Sequence, residues 1–184
     1  LYDEGSPPAD AHKSLQVNVS RLRKALRDGY VKTLAGGYCL ALDRLELDAA
    51  RFDVLADAGR AQLNAGDAGA AAATLQNALA LWRGDALAEF AYAEFAQVEI
   101  ARLEERRLGV LEDRIEADLI LGRHAHLVGE LEALVREHGL RERLRAQLML
   151  SLYRSGRQAE ALEVYQEARR ALTDQLGIEP TPEL

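Results

Sequence analysis

Gln16, Asn18, Ser20, Arg21, Arg23 and Lys24 are threaded through an apolar stripe of Leu15, Val19, Leu22 and Leu26. The stripe recurs at intervals of four, three and four residues, which places it on one side of a helix. The remaining positions present amide, hydroxyl, guanidinium and ammonium groups. On a nucleic-acid duplex such groups do two kinds of work. Gln and Asn can pair bidentately with adenine, and Arg with guanine; charged groups on phosphate set register and orientation. From Lys13 to Tyr38 six basic residues stand against the single acid Asp28. The periodicity taken alone fits equally a surface helix whose charges are simply solvated.

Other candidate chemistry is thinner. His124, His126 and His138 invite a metal, but His124 and His126 are two apart at a helix start and point apart. Ser151, Ser155 and Glu142 belong to no motif that would orient a nucleophile against a base. No glycine-rich phosphate loop of nucleotide-binding form is present. The lone cysteine, Cys39, excludes a disulfide within the chain and a cysteine-rich zinc site. The expectation is a protein that is not an enzyme and that uses no cofactor and no metal. Arg102, Arg106, Arg107 and Arg114, among Glu99, Glu104, Glu105 and Glu112, read as solvated ion pairs along a helix.

The elements that must position the basic segment are these. Residues 1–12 are polar and broken by Gly5, Pro7 and Pro8. Ser14 is the expected N-cap of the amphipathic helix, and Gly29 follows its end. Tyr30 to Leu42 is rich in strand formers and interrupted by Gly36-Gly37, which predicts a short β-hairpin with Tyr38 packed into a core. Beyond it everything predicts helix: Asp48 to Asn64, Ala68 to Trp82, about Tyr92 to Leu121, His124 to Glu137, Glu142 to Arg154 and Gln158 to Gln175. Gly59 weakens the first of these, and Trp82 is expected to anchor a core. The fold class is mainly α, in helix–turn–helix pairs. The turn glycines Gly122 and Gly156 lie 34 residues apart, the tetratricopeptide period. In the third pair Tyr153, Gly156, Ala161, Leu162, Tyr165 and Ala168 are expected to interlock.

The chain has 184 residues and a net charge of −7. Its hydrophobic content of 48%, with only 5% aromatics, suits a globular helical protein carried by Ala and Leu. Residues 1–44 hold seven basic and five acidic residues, a net +2, and the rest of the chain carries −9, so a small basic part is joined to an acidic body. That asymmetry fits a protein touching phosphate with one end and something else with the other. No run of about 18 apolar residues predicts a membrane span, and the expected location is cytoplasmic. The acidic, Pro-containing start is no signal peptide; without an initiator Met the chain reads as a fragment.

Taken in order, the motifs have a family look. Asn18-Val19-Ser20-Arg21-Leu22-Arg23-Lys24-Ala25-Leu26, then Thr33 and Gly36-Gly37-Tyr38, resembles the C-terminal half of a winged helix-turn-helix of the response-regulator type. Leu79-Ala80-Leu81-Trp82-Arg83-Gly84 follows, then Gly122-Arg123-His124. Leu140-Arg141-Glu142-Arg143-Leu144, Gln147-Leu148-Met149-Leu150 and Tyr153-Arg154-Ser155-Gly156-Arg157-Gln158-Ala159-Glu160-Ala161-Leu162 run on to Leu176-Gly177-Ile178-Glu179-Pro180. This succession resembles the Streptomyces antibiotic regulatory protein family, which joins a winged helix to a bacterial transcriptional activator domain. The resemblance spans about residues 13–184.

It implies a partial winged helix over 1–44, whose first half would precede Leu1, with Leu1-Tyr2 closing its second helix. It implies a tetratricopeptide-like activator domain over 45–184. The function implied is sequence-specific binding to promoter direct repeats of double-stranded DNA, contact with RNA polymerase, a homodimer on DNA, and activation of secondary-metabolite genes. By resemblance Lys13, Asn18 and Arg21 read bases or adjacent phosphates, and Arg23 and Lys24 lie nearer the backbone. Gln16 and Ser20 complete the exposed face. The hairpin would be the wing; its tip lacks the Arg that many relatives send into the minor groove, leaving Lys32 and Thr33 for phosphate. The alternative is a tetratricopeptide-like interaction module without DNA binding of its own, for which a basic helix beside a Gly-Gly wing would have no use.

Overall fold

The computed structural model describes residues 11–26, 29–41, 47–181 and 184. The chain divides into two compact units, Leu1–Leu47 and Asp48–Leu184.

In the first unit, helix α1 (Ala11–Ala25) is followed by an antiparallel hairpin of β1 (Val31–Leu34) and β2 (Gly37–Leu40). Val31 lies opposite Leu40 and Leu34 opposite Gly37, so Ala35 and Gly36 form a two-residue turn. Ala41 N–H donates to the Tyr30 carbonyl at 2.6 Å and lengthens the ribbon. α1 starts three residues ahead of the expected cap, so Ser14 lies inside the helix rather than at its end. The hairpin's expected end at Leu42, the 44/45 boundary, Arg27, Asp28 and Leu1-Tyr2 lie outside the described residues.

The second unit holds α2 (Asp48–Asn64), α3 (Ala68–Leu79), α4 (Glu94–Ile120), α5 (His124–Glu137), α6 (Glu142–Arg154) and α7 (Gln158–Leu176), with one 3-10 turn at Ala88–Phe90. α3 ends at Leu79, short of Trp82, whose segment continues only as turns. The three hairpins α2–α3, α4–α5 and α6–α7 turn in the same way. Gly66, Gly122 and Gly156 sit at φ of +82°, +77° and +80°. Behind each, the next N–H closes a six-residue ring: Asp67 to the Gln62 carbonyl at 3.0 Å, Arg123 to Asp118 at 2.9 Å, Arg157 to Leu152 at 2.9 Å. These are left-handed helix ends that glycine adopts without side-chain strain.

α4 is shared between two apolar clusters. Phe52 and Ala56 of α2 and Ala71, Leu75 and Ala78 of α3 pack with Val110 and Ala117 of α4. Ile115 and Leu119 of α4 pack with Leu127, Leu131, Leu144, Leu148 and Leu152. Gly59 packs tightly against α3: a Cβ there would lie 2.5 Å from Leu75 Cγ. Its place in the helix is thus required by packing. Trp82 anchors the first cluster, edge-on to Phe52 at 5.4 Å between ring centroids and covered by the Arg107 guanidinium at 4.6 Å. In the third hairpin Ala161 and Ala168 are buried, but Tyr153 and Leu162 are exposed and do not interlock as expected. Ala161 and Ala168, with Leu172 buried and Val164 partly so, form the face of α7 that packs inward.

The arginines of α4 are more than solvated partners. Arg106 pairs with Asp57, and Arg114 with Glu130, bridging neighbouring helices. On the same helix Glu112 and Asp113 are buried, at 3% and 4% exposure. Arg141 Nε donates to Glu112 at 2.9 Å, Arg143 to Asp113 at 2.8 Å and Arg60 to Asp113 at 2.7 Å. The hydrogen bond that Arg141 donates to Glu112 is the largest influence holding the guanidinium in its charged form, above its ordinary pKa and against desolvation.

Candidate nucleic-acid interface

α1 carries the polar side chains singled out from the sequence. Lys13, Gln16, Asn18, Ser20, Arg21, Arg23 and Lys24 are all exposed along it. With about 3.6 residues per turn, Lys13, Ser20, Arg21 and Lys24 fall on the face opposite the apolar stripe. Asn18 flanks that face on one side and Gln16 and Arg23 on the other. The resulting surface carries four cations, a hydroxyl and two amides, with no carboxylate on α1 at all. It can donate to phosphate along its length and both donate and accept at base edges.

The stripe itself is a correction. Only Val19 is buried, at 5% exposure, while Leu15 and Leu22 are each half exposed and Leu26 is exposed as well. Among the described residues of this unit only the hairpin packs on α1, and a two-stranded ribbon covers one patch of a helix rather than its whole apolar side.

One side chain fastens helix to hairpin. Arg23 Nε donates to the Val31 carbonyl at 3.2 Å, and its Nη2 donates to Thr33 Oγ1 at 2.7 Å. The same guanidinium lies over the Tyr38 ring, 5.8 Å from its centroid. Arg23 and Thr33 are therefore brought together, and Tyr38 is an exposed platform for Arg23 rather than a core residue. Lys32 alternates with Val31 and Thr33 on the ribbon and remains exposed. The Arg23 tie was missed from sequence because it depends on the register Thr33–Tyr38, which places Tyr38 across from the hydroxyl that receives the hydrogen bond.

Among the described residues no group of three or more His, Cys, Asp or Glu side chains could hold a metal ion, and no helix is long and apolar enough to cross a membrane.

The pattern of the bacterial transcriptional activator domain matches residues 47–184. Regulatory protein DnrI of Streptomyces peucetius is 41% identical over 189 residues, covering 97% of this chain and 70% of the relative. The chain belongs to the Streptomyces antibiotic regulatory protein family. Regulatory protein AfsR of Streptomyces coelicolor is 48% identical over 179 residues, and there the same 97% of the chain corresponds to only 18% of the relative. A solved structure of Mycobacterium tuberculosis EmbR, in complex with a low affinity phosphopeptide, is similar over 98% of this chain and 49% of that one, with a TM-score of 0.92 and 34% sequence identity. The chain thus spans most of one regulator of this family and about half or less of others. These relatives are named as regulators, not as enzymes.

Proposed function

We propose that this chain is part of a sequence-specific DNA-binding transcriptional activator of the antibiotic regulatory family. Residues 1–44 belong to a winged helix-turn-helix and 45–184 form the activator domain. The observation that carries the reading is the exposed, carboxylate-free face of α1 beside a hairpin wing, in a chain whose remaining residues match the activator domain. In this reading α1 lies in the major groove of promoter direct repeats. Lys13, Gln16, Asn18, Ser20 and Arg21 meet bases and nearby phosphates, Lys24 and Lys32 meet phosphate, and Arg23 with Thr33 holds the wing against the reader helix. The helical-repeat unit contacts RNA polymerase, and two copies occupy adjacent repeats. The genes served are those of secondary metabolism, and the protein works in the cytoplasm.

The test uses the complete regulator on a promoter carrying direct repeats. Deleting residues 48–184 is expected to abolish activation far more severely than DNA binding, measured by run-off transcription and by gel shift. Undiminished activation without that unit, or no preference for the repeats over scrambled duplex by the intact protein, would overturn the reading.

A further inference from the structure

The segment between α3 and the first turns of α4 breaks the pattern of the second unit. Elsewhere exposed apolar side chains such as Val54, Tyr153 and Leu162 are scattered; here Phe90, Phe95 and Val98 are exposed within one short segment and Tyr92 is fully so. Phe90 and Phe95 lie against each other, 5.7 Å between centroids, as a ridge on the surface. Beside the ridge opens a cleft of about 480 Å³ floored by Phe52, Trp82 and Leu103. Leu87 lies at its edge, 42% exposed, with its backbone held at φ +48°. A branched residue is rarely kept in that left-handed conformation unless its surroundings impose it, and such positions cluster at ligand-contacting sites.

The unpaired charge around this apolar surface is acidic, because Arg83 at the cleft is paired with Asp48 at 2.8 Å and Arg107, over the Trp82 ring, with Glu104 at 3.6 Å. From Gly84 to Ala101 there is no basic residue. Asp85, Glu89 and Glu94 are exposed and have no ion-pair partner among the described residues. An exposed apolar patch with a charged rim is the form of a protein-docking surface, and an unanswered acidic rim selects a basic occupant.

We infer that the cleft and ridge dock a basic amphipathic helix of a partner protein. One apolar side chain of that helix enters the cleft over Trp82, others lie along Phe90 and Phe95, and its Lys or Arg residues meet Asp85, Glu89 and Glu94. The helix-in-groove mode fits an apolar cleft with an exposed apolar ridge beside it. The inference rests on the activator reading only for the identity of the partner as RNA polymerase; the chemistry of the surface stands apart from it.

The experiment uses the full chain and two fluorescent probes, a leucine–lysine amphipathic helix of about five turns and its leucine–glutamate counterpart. Anisotropy titration should show the lysine helix binding and the glutamate helix not. Tyr92→Ser with Phe95→Ser, and separately Glu89→Lys with Glu94→Lys, should each weaken the lysine helix by about tenfold or more, with helical circular dichroism unchanged. Tyr92→Ser alone, at a fully exposed position, guards against a folding artefact. Equal binding of both probes, or undiminished binding by the variants, overturns the inference. So does sedimentation in which the chain is a dimer that Phe95→Ser converts to monomer, because the patch would then cover a second copy. Recruitment of purified polymerase to promoter DNA is measured in parallel. If the variants lose the lysine helix but recruit polymerase normally, the docking surface is upheld and the polymerase contact lies elsewhere; if the unaltered protein recruits none, it is the activator reading that fails.

Discussion

The Arg23 guanidinium donates to the Thr33 hydroxyl at 2.7 Å, across ten residues of chain and from helix to hairpin. The bond makes the orientation of α1 depend on the wing. Arg23→Ala and Thr33→Val should each weaken binding to specific and scrambled duplexes, although Thr33→Val changes no charge. If the tie is their common role, the double variant should be no worse than Arg23→Ala alone by more than about 0.5 kcal/mol. Gel-shift titrations over a salt series check this. A salt slope flattened by about one for Arg23→Ala, with Thr33→Val silent, would place Arg23 on phosphate instead.

Gly59 and Gly129 look alike in sequence, each a glycine within a helix, and should behave oppositely. A Cβ at Gly59 meets the Leu75 side chain at 2.5 and 2.6 Å, and Leu75 is fully buried. Gly59→Ala should destabilise the helical unit by about 1–3 kcal/mol. A Cβ at Gly129 meets nothing within 4 Å, so Gly129→Ala should stabilise it by about 0.5–1 kcal/mol through helix propensity. Urea unfolding followed by circular dichroism decides both; a neutral Gly59→Ala would mean that α2 and α3 separate easily.

That contrast also marks what the sequence could reveal. Helix ends were legible because Gly66, Gly122 and Gly156 act locally, each closing the helix that precedes it. The stripe of Leu103, Ile115 and Leu119 is legible because periodicity is local too, but periodicity leaves Val110 and Leu111 as alternatives for its middle position, and it is Val110 that is buried. Gly59 was not, since its meaning lies in Leu75 on another helix. Nor were Glu112 and Asp113, charged residues on a core face whose partners Arg60, Arg141 and Arg143 come from 29 to 53 residues away. In the candidate interface the exposed face of α1 followed from spacing, whereas the coupling of Arg23 to Thr33 and Tyr38 required the hairpin register.

The buried carboxylates give a graded prediction. Glu112 retains only Arg143, at 3.5 Å, once Arg141 is removed. Arg141→Met should therefore cost up to about 3 kcal/mol, short of the roughly 3–5 kcal/mol of a buried charge left with no partner at all. Arg102→Met breaks a half-exposed pair with Glu99 and should cost less than about 1 kcal/mol. The hydrogen bond from Arg102 holds the Glu99 carboxyl below its ordinary pKa. Its small contribution is therefore present at neutral pH and lost as pH falls through that lowered value. Denaturant midpoints for both variants at neutral and acid pH test the ranking; similar losses at neutral pH would contradict the assigned burial.

Arg21 and Lys24 are three apart on the exposed face of α1, yet they should fail differently. Both project away from Val19, the side chain that α1 buries, so both can reach a groove in which α1 lies. Arg21 carries a planar donor fork suited to a guanine edge, while Lys24, near the helix end, carries a point charge suited to phosphate. In the complete regulator Arg21→Ala should cost about 1–3 kcal/mol on operator and relax the preference at one base pair. Lys24→Ala should weaken operator and scrambled duplex alike and flatten the salt slope by about one. Titrating both duplexes at several salt concentrations separates the two roles. Equal small losses on both duplexes for Arg21→Ala would make it a backbone contact, and base reading by α1 would then fall to Asn18 and Gln16.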